Sequence, residues 1–307
     1  MSRLPTISAR AVRLAVAALM IGLAVPAFAQ EATPRPELDS APYAVWYRSD
    51  AKIKGHLENG SPGDEVTLQH KKPGRNWRNL KSRKIDEDGR VKFRVADLRT
   101  TKVFRLKWVD ELTDRAELSD WKRVRVRPRL ILELKPRHAY EGATVRLKGT
   151  MLPQVNGRKV VIKRKSGGDW VKVAKAAASD GTYSVRVDSG STGRRRFKAV
   201  FTGDKLNRPR TQAGVLKVYD PDPATWYGPG FYGNGTACGK TLRRKTLGVA
   251  HRSLPCGTMV SIVFHGRSIT VPVIDRGPYT SAEWDLTQET AERIGFSGSQ
   301  TVGTLHD

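Results

Sequence analysis

The sequence of 307 residues has only two cysteines, Cys238 and Cys256, both in its last third. A tetrahedral metal site on this pair would need two further ligands. The histidines of the same region (His251, His265 and His306) have no close ligand spacing. A pair of cysteines in an oxidising compartment is instead typical of a disulfide. We therefore predict a Cys238–Cys256 disulfide and no metal.

A nucleotide-binding motif is also missing. The glycine-rich segment GPGFYGNGTACG does not continue into the Gly-Lys-Ser/Thr that a phosphate-cradling loop requires. We expect no cofactor.

Acidic residues are scarce, with 30 Asp and Glu against 55 Lys and Arg, for a formal charge of +25. Residues 31–223 carry +20 of this charge, whereas residues 224–307 carry only +2. A polycationic surface attracts polyanions with little specificity. For a secreted chain the expected partners are anionic envelope polymers rather than nucleic acid. The alternative is a solvated surface with no chosen partner.

Long apolar runs are limited to LAVAALMIGLAV near the N-terminus, which is shorter than a membrane span requires. It follows three arginines and precedes PAFAQ, a small-residue cleavage pattern. This order predicts a signal peptide over residues 1–29. We expect a secreted protein, extracellular or periplasmic and associated with the cell wall, with no membrane span.

Residues 40–220 contain two sets of alternating apolar and polar segments, typical of half-buried strands. The sets align at offsets of 92 to 94 residues, with Trp77 opposite Trp170 and Phe104 opposite Phe197. We predict two basic immunoglobulin-like β-sandwiches, at residues 30–128 and 129–219. The repeated tryptophans are interpreted as core residues rather than as a ligand platform.

The segment YDPDPATWYG, with two prolines between acids, predicts a linker before a third domain at residues 220–307. Strands are predicted at 246–251, 258–265, 268–275 and 301–306. One helix is predicted with Asp285 as N-cap, Gln288 in a capping box and Gly295 as its end. This unit is mainly β with one short helix.

Four ordered motifs of this region, ATWYGPGFYGNGTACG, GVAHRSLPCGTMVSI, VPVIDRGPY and WDLTQETAERIGF, carry a resemblance to a known family. Together they resemble the double-psi β-barrel domain of rare lipoprotein A (RlpA), a family of septal lytic transglycosylases. Expansins and some endoglucanases share a related barrel. The resemblance covers about residues 224–307 and implies a six-stranded double-psi β-barrel.

The resemblance also implies a polysaccharide groove with a site for peptidoglycan glycan strands. Asp275 would be the acid/base and His251 a second catalytic residue that orients it or the substrate. The remaining site residues would bind substrate: Tyr227, Lys240, Arg276 and Asp285. For His251 the alternative is a hydrogen-bonded structural histidine, and for Asp285 it is the helix cap.

One position departs from the family pattern. This chain has TACGK where RlpA proteins usually have TASGE, so Lys240 occupies the position of a glutamate that belongs to the active site in characterised relatives. We therefore carry three hypotheses. The chain is an endolytic peptidoglycan lytic transglycosylase, a non-catalytic, expansin-like polysaccharide-binding protein, or an interaction protein on the same scaffold.

Overall fold

The computed structural model describes residues 32–306. The predicted signal peptide, residues 1–29, lies outside the described residues. Within the described residues, no helix is long and apolar enough to cross a membrane. The structure is mainly β, as predicted, and three large hydrophobic cores follow one another along the described residues.

The first two-sheet unit contains nine strands. One sheet has the order β1-β3-β6, and the other has the order β2-β9-β7-β4-β5 with β8 on β7. Its core lies between the two sheets and includes Ile53, Leu68 and Phe104. The strands are β1 Arg35–Ser40, β2 Ala44–Trp46, β3 Ser49–Glu58, β4 Glu65–Lys71, β5 Arg78–Lys84, β6 Arg90–Leu98, β7 Lys102–Val109, β8 Ala116–Leu118 and β9 Lys122–Arg127.

The second two-sheet unit repeats this connectivity. One sheet has the order β10-β12-β15, and the other has β14-β13-β16-β17 with β11 parallel to β17, as β2 is to β9. The strand orders of the two units correspond apart from β8, while the two immunoglobulin-like repeats and their domain boundaries stay predictions. The strands are β10 Arg129–Leu134, β11 His138–Tyr140, β12 Thr144–Leu152, β13 Lys159–Ser166, β14 Asp169–Ala177, β15 Thr182–Asp188, β16 Gly193–Phe201 and β17 Arg210–Tyr227.

The repeated tryptophans do not lie in the cores, so the sequence interpretation of Trp77 and Trp170 was wrong. Both rings are half-buried on the outer face of a sheet. Lys71 and Arg105 cover Trp77 at 4.6 and 4.2 Å from its centroid, and Lys198 covers Trp170 at 4.1 Å. The neighbouring outward positions are cations, and cations stack favourably on indole faces.

The predicted linker is also wrong, because β17 runs without a break from the second unit into the third. Pro221 and Pro223 are two residues apart, so both missing N–H groups fall on one edge of the strand. Pairing with the last strand continues through both prolines. Asp222 is equally part of the fold, since it accepts hydrogen bonds from Trp284 Nε1 at 3.0 Å and from the Thr304 hydroxyl.

The third unit is a closed barrel of six strands in the order β17-β21-β18-β20-β19-β22, which β17–β22 pairing completes. The four strands predicted from sequence are present, with the first reduced to two residues. Trp284 and Leu286 lie at the centre of the core. The new strands are β18 Val249–Ala250, β19 Met259–Phe264, β20 Arg267–Asp275, β21 Trp284–Thr287 and β22 Gln300–His306.

The helix α1 spans Gln288–Ile294 and ends at Gly295 in the left-handed conformation, as predicted. Its N-cap is Thr287, whose hydroxyl accepts from the Thr290 backbone N–H. The predicted N-cap, Asp285, is therefore wrong. Asp285 belongs to β21, where pairing with β17 and β18 holds its backbone in an extended conformation two residues before the helix begins.

Candidate active site

Asp275 and Asp285 approach one cleft from two strands that flank Ala250. Ala250 is paired with Asp275 on one side and with Asp285 on the other. Residues directly opposite each other in a sheet point to the same face. With strands spaced by about 4.8 Å, the two aspartate Cα atoms are roughly 10 Å apart. Both residues line a cleft of about 580 Å³ together with Tyr227 and Arg276.

The Asp275 carboxylate is oriented by backbone donors. Its Oδ1 accepts from the N–H of Ala237 at 2.9 Å and from the N–H of Arg276 at 2.8 Å. The Arg276 guanidinium turns away and donates to the carbonyl of His251 and, at 3.5 Å, contacts Cys256 Sγ. The Arg276 guanidinium therefore forms no ion pair with the Asp275 carboxylate, which lines the cleft.

The second carboxyl of the cleft, that of Asp285, is half-buried. Its Oδ1 accepts from the Thr225 hydroxyl at 2.8 Å. Burial raises the pKa of Asp285 to about 6, with a further contribution from the charge of Asp275, against the opposing effect of the Thr225 hydrogen bond. A carboxyl with such a pKa keeps its proton in part near neutral pH and can donate it.

Tyr227 lies beside both carboxyl groups at the end of β17. Its hydroxyl is buried and has no hydrogen-bond partner among the described residues. Burial raises the pKa of Tyr227, and the charges of Asp275 and Asp285 raise it further. The side chain is thus a neutral phenol that lines the cleft, with its hydroxyl beside the Asp275 carboxyl.

His251 is not among the residues that line the cleft. Its Nδ1 accepts from the backbone N–H groups of Ser253 and Leu254, and its Nε2 lies 3.0 Å from Glu283 Oε1. The ring packs on Trp284 with centroids 4.4 Å apart, and burial lowers the pKa of His251. This geometry favours the alternative of a hydrogen-bonded structural histidine, and the catalytic role stays a prediction.

Lys240 lies at the end of the loop that supplies the Ala237 N–H to Asp275. The loop is held by hydrogen bonds between Thr236 and Lys240 and by the predicted disulfide, which is present between Cys238 and Cys256. The Lys240 side chain is exposed and does not line the cleft.

Exposed aromatic side chains form one rim of the cleft, and sequence reasoning did not single them out. Trp226, Phe231 and Tyr279 are 37%, 55% and 91% exposed and all line the cleft. Flat apolar faces at the edge of a polar cleft suit the faces of sugar rings. The available signal was the presence of aromatic residues inside sequence segments rich in glycine and proline, which are poor in core residues.

The geometry defines a closed β-barrel domain whose cleft holds two carboxyl groups and an aromatic rim. Residues 223–304 match the protein family described as lytic transglycolase. A probable endolytic peptidoglycan transglycosylase RlpA of Synechocystis is 43% identical over 28% of this chain and 28% of its own length. Residues 223–304 therefore form an RlpA-like double-psi β-barrel domain, as the sequence motifs predicted.

Other relatives match in the same way. The endolytic peptidoglycan transglycosylase RlpA of Campylobacter jejuni is 38% identical over 26% of this chain and 30% of its own length. That of Neisseria meningitidis is 33% identical over 42% of this chain and 56% of its own length. The chain thus spans about a quarter to just over half the length of these relatives. The tetra-tandem repeat of a large adhesion protein covers 89% of this chain and 74% of that structure's chain at 14% identity, with a TM-score of only 0.36.

Proposed function

We propose that this protein is a secreted, cell-wall-associated lytic transglycosylase that cleaves peptidoglycan glycan strands internally. The observation that carries the proposal is the pair of carboxyl groups in one cleft, Asp275 held by backbone donors and Asp285 with a pKa of about 6. Two titratable groups whose environments differ in this way are suited to opposite proton transfers. The relatives named as endolytic peptidoglycan transglycosylases supply the substrate class.

The proposed reaction consumes no water. Asp285 donates its proton to the glycosidic oxygen that follows N-acetylmuramic acid, and the bond between that oxygen and C1 breaks. Asp275 removes the proton of the same sugar's 6-hydroxyl, whose oxygen bonds to C1 and closes an anhydro ring. The sequence hypothesis gave both transfers to Asp275. The burial of Asp285 supports a division of the two roles, since burial favours the protonated form of a carboxyl.

Substrate binding is assigned to the groups around these carboxyls. The free hydroxyl of Tyr227 donates to a sugar oxygen, and Arg276 fixes the carboxylate-bearing turn through its hydrogen bonds to backbone carbonyls. Trp226 and Tyr279 stack on sugar faces. Lys240, exposed at the end of the loop, pairs with a carboxylate of the peptide stem.

The basic sandwiches hold the protein on anionic envelope polymers in this proposal. Support comes from the concentration of +20 of the net charge in residues 31–223. Exposed charges are screened over about 10 Å at 0.1 M salt, so such binding weakens as salt rises.

A second candidate function rests on Lys240. A lysine stands where the related enzymes carry a glutamate, and an ammonium group cannot accept a proton as a carboxylate does. In this alternative the cleft binds polysaccharide without cleaving it, in the manner of an expansin.

Digestion of purified sacculi, with mass spectrometry of the released muropeptides, separates the two candidates. The wild-type chain is expected to release anhydro-muropeptides, and Asp275→Asn to bind sacculi but release about 10²–10⁴-fold less. If only Lys240→Glu releases product, the natural protein is a binder. If none of the three releases any while all bind equally, the enzymatic proposal is wrong.

A further inference from the structure

Four arginines surround two exposed aromatic rings where the first two-sheet unit meets the second. The Arg125 and Arg208 guanidiniums lie 4.7 and 5.0 Å from the centroid of the Tyr43 ring. Arg127 and Arg210 lie 5.1 and 4.8 Å from the Trp46 ring. Tyr43 is 62% exposed and Trp46 is 46% exposed. We call these six residues the arginine strip.

The strip follows from the alternation of β9. Val124 and Val126 are buried in the first core, so Arg125 and Arg127 point to the opposite face. Their Cα atoms are separated by about 6.6 Å, the rise of two strand residues. Each aromatic ring is thus covered by one arginine of β9 and by one arginine at the start of β17, Arg208 just before the strand or Arg210 as its first residue. The strip carries four positive charges in a small area.

The stacked guanidiniums keep their hydrogen-bonding capacity. A planar guanidinium that stacks on a ring uses its face, whereas its five N–H donors lie in its plane. Among the described residues, the side chains of Arg125, Arg127, Arg208 and Arg210 have no ion pair and no hydrogen bond. Some other exposed arginines of the same unit do have acidic partners, as Arg94 has Asp50. The strip therefore presents oriented and unused donors.

A buried polar network fixes the two halves of the strip relative to each other. Asn207, only 2% exposed, donates to the carbonyls of Arg99 and Val126 and accepts from Arg158 at 2.6 Å. Backbone hydrogen bonds add to it, from Arg208 N to Val126 O and from Thr101 N to Leu206 O. Because the arginines are already held in place, less conformational entropy is lost when a ligand binds to them.

The same strand links the strip to the proposed active site. β17 begins at Arg210, in the strip, and ends at Tyr227, in the cleft. It is paired along its length with β16, β21 and β22. At about 3.3 Å per residue, the two sites are at most roughly 56 Å apart along the strand. A long polymer can therefore contact both sites at once.

We propose that the arginine strip is a second binding site that holds carboxylates of peptidoglycan peptide stems while the cleft acts on a glycan strand. Arginine pairs with carboxylates through two parallel hydrogen bonds, and the strip offers four guanidiniums already oriented for it. The choice of this polymer rests on the proposed function. Two linked sites on one polymer raise the effective affinity without new contacts in the cleft.

The test compares two variants of the full chain, both in an Asp275→Asn background so that the sacculi are not digested. The strip variant combines Arg125→Gln, Arg127→Gln, Arg208→Gln and Arg210→Gln. The control removes the same charge from exposed arginines elsewhere that have no partner among the described residues, through Arg83→Gln, Arg129→Gln, Arg146→Gln and Arg186→Gln. Binding is measured by co-sedimentation with sacculi, untreated or with their carboxyl groups amidated.

The strip variant should bind untreated sacculi about tenfold more weakly at 0.1 M salt, and the control variant should lose much less. Amidated sacculi should bind the parent chain at least as weakly as untreated sacculi bind the strip variant. Equal losses in both variants would show that only total charge matters, and unchanged binding to amidated sacculi would exclude carboxylates. Either result overturns the proposal.

Two further measurements keep the result interpretable. If the strip variant does not fold, as judged by circular dichroism, the four residues are changed to lysine instead. Lysine keeps the charge but cannot pair in bidentate fashion, so binding should still weaken, and undiminished binding would contradict the proposal. Product release by the unmodified chain is assayed separately. If the unmodified chain releases no product, the proposed activity is wrong, and the comparison of binding between the two variants still stands.

Discussion

Replacing Asp285 with asparagine should strongly reduce activity and yet stabilise the barrel at neutral pH. The substitution keeps the shape of the side chain and an oxygen that can accept from the Thr225 hydroxyl, but it removes the proton and the charge. Burial raises the pKa of Asp285 from 3.8 to about 6. A group whose folded-state pKa is raised binds its proton more tightly when folded, so its ionisation destabilises the fold.

The magnitude follows from the size of the shift. Each pKa unit corresponds to about 1.4 kcal/mol, so the shift amounts to at most about 3 kcal/mol, and solvent screening of a half-buried group reduces this to about 1–2 kcal/mol. The wild type should lose this stability as the pH rises from about 4 to about 6. Asp285→Asn should therefore be more stable than wild type at pH 7 and nearly equal to it at pH 4.

Hydrogen exchange of the barrel strands, read by mass spectrometry for both proteins at each pH, measures this difference locally in a chain with several cores. Anhydro-muropeptide release should fall by about 10²–10⁴-fold in the variant, and in wild type it should decline above pH 6 as Asp285 ionises. Asp275→Asn is the matched control, and it should lower the pKa of Asp285 because the neighbouring charge is gone. A variant that is no more stable at pH 7, or whose advantage does not depend on pH, would refute the reasoning.

Three other expectations concern the surroundings of the cleft. Reducing the Cys238–Cys256 disulfide should lower the free energy of unfolding of the barrel by about 3 kcal/mol. Hydrogen exchange of the barrel strands that is unchanged by reductant would contradict this. His251→Ala should destabilise the barrel, because contacts with Trp284 and Glu283 are lost. At a low temperature at which the variant is folded, its activity should be close to that of the wild type. A large loss of activity in the fully folded variant would support the catalytic role. A chain with Tyr227→Phe should fold normally but bind glycan fragments several-fold more weakly, as measured by calorimetry, because only the buried hydroxyl beside Asp275 is removed. Unchanged binding would remove Tyr227 from the site.

Local patterns were sufficient for most strands. The segments 65–71 and 102–109 alternate apolar and polar residues, and they form β4 and β7. Gly295 ends the helix because only a residue tolerant of the left-handed conformation continues the chain there without strain. The ordered motifs of the last quarter likewise predicted the RlpA-like barrel and brought Asp275 to the end of a strand.

Partners distant in sequence decided the rest. Whether Trp77 faces a core or solvent depends on which face of a sheet it packs against. Whether Pro223 ends a strand depends on which edge of β17 is paired. Asp285 and Thr287 are equally plausible caps in sequence, but pairing of β21 with β17 and β18 keeps Asp285 extended and leaves the cap to Thr287. Burial in the barrel raises the pKa of Asp285, and the opposing hydrogen bond comes from Thr225, 60 residues away in the sequence. Desolvation and charge act through distance in space, and that distance exists only after the barrel has closed.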